Sequence, residues 1–153
     1  MDQESIRRFV ADTYGSVRVQ VASSGDGSPE IAWGDTFFMH LDDEHQFPLA
    51  TIVTKDYGDY DNLSKLNRPD VWRLNIGIDK ETFERLFPRE QGYDFAALDV
   101  LMPHPVYSPN YFVCILNPSD ASFAEIKPLL DEAYRIGAGR VQRRSARRQQ
   151  KAR

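Results

Sequence analysis

The chain has a single cysteine among its 153 residues. Cys114 therefore has no internal disulfide partner, and its setting "FVCIL" reads as a buried thiol in a reducing, cytoplasmic protein. No apolar run is long enough to span a bilayer, and "MDQESIRRFV" is charged where a secretory leader would be apolar, so no membrane partner is expected. Phosphate loops are missing too. "WGD" at 33–35 lacks the glycine run and the Lys-Ser/Thr ending, and "LNIGID" has one glycine where a dinucleotide fingerprint needs three. There is no Gly-x-Ser-x-Gly elbow, and a thiolate at Cys114 would be disfavoured by its apolar neighbours. The sequence contains three histidines. Two of them, His40 and His45, flank Asp42, Asp43 and Glu44, but a strand and turn scatter such side chains and no Cys or Glu-x-x-His partner supports a site. That stretch reads as a solvated acidic hairpin tip. The expectation is no metal and no cofactor.

Charge is present but unevenly placed. Seven of the 19 basic residues fall in "RVQRRSARRQQKAR" from Arg140 onward, which leaves 12 basic against 23 acidic residues before it, a net of −11. An acidic body thus carries a basic end. The boundaries that follow are a single domain over 1–139 and a flexible basic tail over 140–153, since Gly137 and Gly139 weaken helix propagation there. Such a tail can bind nucleic acid nonspecifically through Arg140, Arg143, Arg144, Arg147 and Arg148, or fold back on the acidic body.

Hydrophobic spacing supplies the elements. Ile6, Phe9 and Val10 recur at helical intervals before Gly15, and "VRVQVA" alternates as a half-buried strand. "EIAWGDTFFMHL" reads as a second strand with a bulge or close approach at Gly34. "FPLATIVTKD" is a third strand, and "YGDYDNLSKLNRPD" is a connection of functional length. "VWRLNIGI" is the fourth. "DKETFERLF" is a short helix capped by Asp79 and ended by Pro88, and "YDFAALDVLM" adds a further turn or two of helix. "YFVCILN" is the last strand. A final helix begins with the Ser122–Glu125 capping-box spacing, with Pro128 starting or kinking it. Short turns between successive strands argue for an α+β fold, an antiparallel sheet of about five strands with helices packed on one side.

That order, with "LNIGIDKETFERLF", "HPVYSPNYFVCIL" and "LLDEAYRI", resembles the MmcQ/YjbR-like family over about residues 30–138. The resemblance implies a double-wing layout in the order α-β-β-β-β-α-β-α, for which DNA binding is one implied role. Tyr111 and Phe112 stand where that family usually has a Trp. "AWGDTFF", "ATIVTKDY", "RPDVWRLNIGI" and "PHPVY" are more similar to an uncharacterised bacterial domain-of-unknown-function family, which implies no activity.

Few residues invite chemistry. His104 sits between two prolines in a rigid corner, which suits a positioned ligand contact or a structural turn. Arg73 and Asn75 share one face of their strand by the period-two rule and, if that face lined a pocket, could take an anion or carboxylate. Trp33, Arg73, Asn75 and His104 are accordingly the candidate ligand-binding residues, with Lys55, Arg68 and Asn117 as neighbours that could join them. The favoured reading is a non-enzymatic binding or accessory module. The alternatives are a small-molecule enzyme using that pocket and nucleic-acid binding through the basic tail.

Overall fold

The computed structural model describes residues 1–152. Helix α1 spans Gln3–Thr13, and the Asp2 carboxylate caps it by accepting the Ser5 N–H at 2.8 Å. Strands β1 (Val17–Val21), β2 (Thr36–His40), β3 (Pro48–Val53) and β4 (Arg73–Gly77) follow as an antiparallel meander. Helix α2 covers Lys80–Leu86 under its expected cap, Asp79, whose side chain accepts the Thr82 N–H at 2.8 Å. Strand β5 is the two residues Met102–Pro103, β6 is Phe112–Leu116, and α3 is Asp120–Lys151. The sheet order is β1-β2-β3-β4-β6-β5, so the α+β class stands with six strands in place of about five.

Alternation along the strands gives the sheet two different faces. Phe38, Ala50, Ile52, Leu74, Ile76, Val113 and Ile115 join Ile6 and Val10 of α1 and Phe123, Ile126, Leu130 and Ala133 of α3 in one apolar core. Leu74 and Ile76 therefore face inward as their spacing requires. The opposite face carries Thr51, Arg73, Asn75 and Cys114, and segment 54–72 folds over it. There Val53, Leu66 and Leu116 form a second, smaller core. The segment is ordered by its own polar bonds: Asp56 accepts the Leu66 N–H at 2.8 Å and its own N–H donates to Asn67 Oδ1 at 3.0 Å.

Three expectations about elements are corrected. Residues 30–32 form a single 3₁₀ turn and the second strand begins only at Thr36. Gly34, at φ 90°, turns the chain between the two, which only glycine does without strain. Residues 93–101 add no helix. Their backbone is held from outside instead, Arg68 Nη2 donating to the Ala96 carbonyl at 2.9 Å and Asp99 N–H to the Leu116 carbonyl at 2.7 Å. The last helix starts one turn early, because Ser119 accepts the Ser122 N–H at 3.1 Å and is the true cap.

That helix also ends late. It continues through Pro128, Gly137 and Gly139, so residues 140–151 of the expected tail are helical and continuous with the domain; residue 153 lies outside the described residues. Gly137 serves packing. A Cβ there would lie 2.1 Å from Leu49 Cδ2, so the missing side chain lets α3 settle onto β3. Further on, Arg144 pairs with Asp43 and Arg148 with Glu44, while the Arg140 guanidinium lies 5.5 Å from the Phe47 ring centroid. Burial would raise the Asp43 pKa, but the Arg144 hydrogen bond and the His45 N–H outweigh it and hold the carboxyl below its usual range. Basic side chains in a last turn also complement the helix dipole. Tertiary anchoring overrides weak local propensity here.

Candidate functional site

The middle of the loop-covered face holds a guanidinium with no exposed surface. Arg73 on β4 is 0 % accessible, and each of its five N–H groups has an acceptor or a ring nitrogen opposite it. Nε donates to Asn75 Oδ1 at 2.8 Å, and Nη1 to Ser64 Oγ at 2.8 Å and to Asp61 Oδ1 at 3.1 Å. Nη2 donates to Asp61 Oδ2 at 2.6 Å and faces His104 Nε2 at 3.1 Å. Period two places Arg73 and Asn75 together, segment 54–72 delivers Asp61 and Ser64, and the corner after β5 delivers His104. The fork-to-fork pair with Asp61 neutralises the arginine, and the hydrogen bonds around it are what make a buried ion pair tolerable.

His104 is fixed from both sides. Its Nδ1 faces the N–H groups of Val106 at 3.0 Å and Tyr107 at 2.9 Å, closing the Pro-His-Pro corner on itself. Burial, reinforced by the Arg73 charge and only partly offset by Asp61, lowers its pKa to about 3. The ring is neutral at pH 7, and a neutral imidazole has one lone pair to offer. Donors nevertheless approach both nitrogens. With Nδ1 accepting the two backbone N–H groups, Nε2 carries the proton and the Arg73 approach stays unpaired; the other tautomer would leave both backbone N–H groups unpaired.

Above this floor lies a cavity of about 620 Å³. Its walls are largely aromatic: Phe37, Phe47, Tyr57, Tyr60, Tyr107 and Phe112 all line it. Thr51, Asp61, Arg73, Asn75 and His104 form its polar part, and it reaches past Gly77 to Ala133, Ile136 and Arg140 on α3. The tyrosines are held at their hydroxyls. Tyr57 donates to Asp35, a fully buried carboxylate that also accepts the Thr54 N–H at 2.8 Å and hydroxyl at 2.9 Å. Burial and that carboxylate raise the Tyr57 pKa. Tyr60 and Tyr107 bond hydroxyl to hydroxyl at 2.9 Å, and this bond, with burial, pushes the Tyr107 pKa up to about 12. Cys114, beside Asn75 in the sheet, is pushed up to about 12 by burial. Near neutral pH these groups therefore offer no imidazolium, phenolate or thiolate.

Of the sequence candidates, Arg73, Asn75 and His104 converge and Trp33 does not. Trp33 is 39 % exposed on the β1–β2 connection and donates its Nε1 proton to the Ser28 carbonyl at 2.9 Å. Lys55 reaches the Trp33 carbonyl at 2.6 Å, and Asn117 binds the Trp72 N–H at 2.9 Å, away from the cavity. The role expected of Arg73 also changes. Four of its five N–H groups are committed to Asn75, Ser64 and Asp61 and the fifth faces His104, so it organises the floor and has no free fork for an anion. Thr51, Asp61 and the three tyrosines were not singled out from the sequence. For Tyr57, Tyr60 and Asp61 the one signal was "DYGDYDN", aromatic residues recurring inside an otherwise polar loop; Thr51 and Tyr107 lie outside it.

His40 and His45 are engaged in the hairpin tip, where His40 Nδ1 accepts the Asp42 N–H at 3.1 Å and the His45 N–H donates to Asp43 at 2.9 Å. Among the five arginines proposed for nucleic acid, Arg144 and Arg148 spend their charge on Asp43 and Glu44.

Fold and site together define an α+β domain with an open antiparallel sheet, helices on one face and an aromatic cavity under loops on the other. Residues 1–146 match a family described as Family of unknown function (DUF6194), and the chain belongs to that family. No curated protein and no solved structure matches it. No helix among the described residues is long and apolar enough to cross a membrane.

Proposed function

We propose that the protein is a non-enzymatic binding module for a small, largely apolar molecule, seated over Arg73, Asn75 and His104. The observation that carries this reading is the aromatic cavity of about 620 Å³ above a polar floor that is neutral overall. Ligand sites have this makeup, an apolar wall with a few placed polar groups. A His104 pKa of about 3 makes the ring a poor general base at neutral pH, which favours binding over acid–base catalysis. The small-molecule enzyme remains the alternative for the same pocket. The element order keeps the likeness to a YjbR-like scaffold, of bacterial and cytoplasmic origin, as part of the proposal.

A thermal-shift screen with a metabolite library tests it. A ligand of the folded state at a hundred times its Kd adds roughly 2.7 kcal/mol to stability. Ile136→Trp, which fills the cavity beside α3, should abolish that shift while the protein stays folded. A shift that survives Ile136→Trp would place the ligand elsewhere, and a screen with no shift at all would count against the reading.

Nonspecific nucleic-acid binding through Arg140, Arg143, Arg144, Arg147 and Arg148 is the weaker reading, because a polyanion must first displace Asp43 and Glu44. Gel shifts at two salt concentrations, with and without residues 140–153, test it.

A further inference from the structure

Three hydrogen-bond donors at the cavity floor are left without an acceptor among the described residues. Asn75 is 3 % accessible; its Oδ1 accepts from Arg73 and one Nδ2 proton goes to Thr51 Oγ1 at 3.0 Å. A carboxamide has two Nδ2 protons, and the second has no acceptor among the described residues. Thr51 accepts that bond from Asn75, and its own hydroxyl proton has no partner among the described residues either. A third donor is left over at His104, where one lone pair faces Arg73 Nη2 on one side and two backbone N–H groups on the other. All three surpluses belong to residues that line the cavity. A donor left without an acceptor in a buried site costs free energy, so an acceptor arriving there is favoured.

We propose that the ligand is a neutral carbonyl compound, with a flat apolar body between the aromatic walls and its carbonyl oxygen on the Thr51 and Asn75 donors. This rests on the pocket reading above and adds the chemistry of the buried end. A carboxylate is disfavoured there. The Arg73 charge is already matched by Asp61 in a bidentate pair, so a second buried anion would lack a cation at the floor. Among the described residues the one other arginine or lysine lining the cavity is Arg140, on the α3 side. A hydrocarbon of the same shape fills the walls but leaves the donors as they are.

The experiment is calorimetric titration of the full chain at pH 7 with matched probes: 2-acetylnaphthalene, 2-isopropenylnaphthalene and 2-naphthoate, and the corresponding phenyl and anthracenyl sets. The expected order is ketone tightest, roughly tenfold ahead of the alkene, with the carboxylate weakest. Thr51→Val keeps shape, removes the hydroxyl donor and frees the Asn75 proton that Thr51 accepted, and Thr51→Val with Asn75→Leu removes both donors; the double variant should bring the ratio of ketone to alkene affinity toward one. Equal binding of ketone and alkene would overturn the carbonyl assignment and leave the apolar pocket standing. Carboxylate binding tighter than ketone would overturn it in favour of an anion site. Binding of no probe in any ring size would overturn the pocket reading and this inference with it.

Discussion

Within β4, neighbouring residues are buried by opposite means. Leu74 and Ile76 are 0 % exposed among apolar side chains of α1 and α3; Arg73 at 0 % and Asn75 at 3 % are as deep on the other face, among hydrogen-bonding groups. On the helix side, stabilisation grows with apolar area and asks little of direction. On the loop side it is conditional, since a guanidinium so deep is tolerated only while its partners are present. One face can be trimmed and the fold weakens in proportion. The other fails as a unit.

The sharpest break of that contrast is Arg73→Ala. It strands Asp61 without its cation and leaves Ser64 and Asn75 without their shared donor, and should cost about 3–5 kcal/mol in urea denaturation. Arg73→Met combined with Asp61→Leu should recover most of that loss, since an apolar pair leaves no buried charge. A double variant as unstable as the single one would mean that the two faces do not differ in kind. Leu74→Ala should cost about 2–5 kcal/mol by lost transfer and cavity formation, with no comparable rescue by a partner change.

Acid sharpens the comparison next. The His104 pKa falls from 6.5 to about 3 on folding, so the folded ring binds fewer protons than the unfolded one between those values. Its contribution is whole above pH 6.5 and is lost as pH drops toward 3, about 3 kcal/mol by pH 4. His104→Gln should flatten the stability–pH curve across this window, whereas Leu74→Ala should shift it without changing its slope. The smallest effects belong to the end of α3. Arg144→Ala, which unpairs the mostly buried Asp43, should lower the melting temperature measurably. Arg148→Ala, at an exposed pair with Glu44, should leave it within error, and less so still at high salt.

How much of this was legible depended on whether the deciding contact was local. Strands β1 and β4 follow from alternation, β3 from its β-branched run and β6 from the apolar run "FVCIL", and Asp79 is legible as the cap of α2. Period two also placed Arg73 beside Asn75. Its burial could not be read there, because the cover comes from Asp61 and Ser64 in a segment whose own composition reads as solvated. Residues 93–101 have helical composition, yet their carbonyls and amides are claimed by Arg68 and Leu116 from distant parts of the chain. The end of α3 misled for the same reason: glycines that weaken a free helix are, at Gly137, what allows it to dock. Trp33 was grouped with the pocket candidates, but its neighbour Gly34 turns the chain there and the indole stays outside.

The two tryptophans, one on each side of this divide, give the protein its own optical gauge. Trp72 is 8 % exposed and directly precedes Arg73, bound through its N–H to Asn117, whereas Trp33 is 39 % exposed. Buried indoles emit at shorter wavelength and are shielded from iodide; exposed ones are quenched readily. Red-edge emission quenched by iodide therefore reports the β1–β2 connection, and the shielded blue component reports the seating of β4. Unseating of Arg73 and loosening of the outer turn can be timed separately in one unlabelled sample.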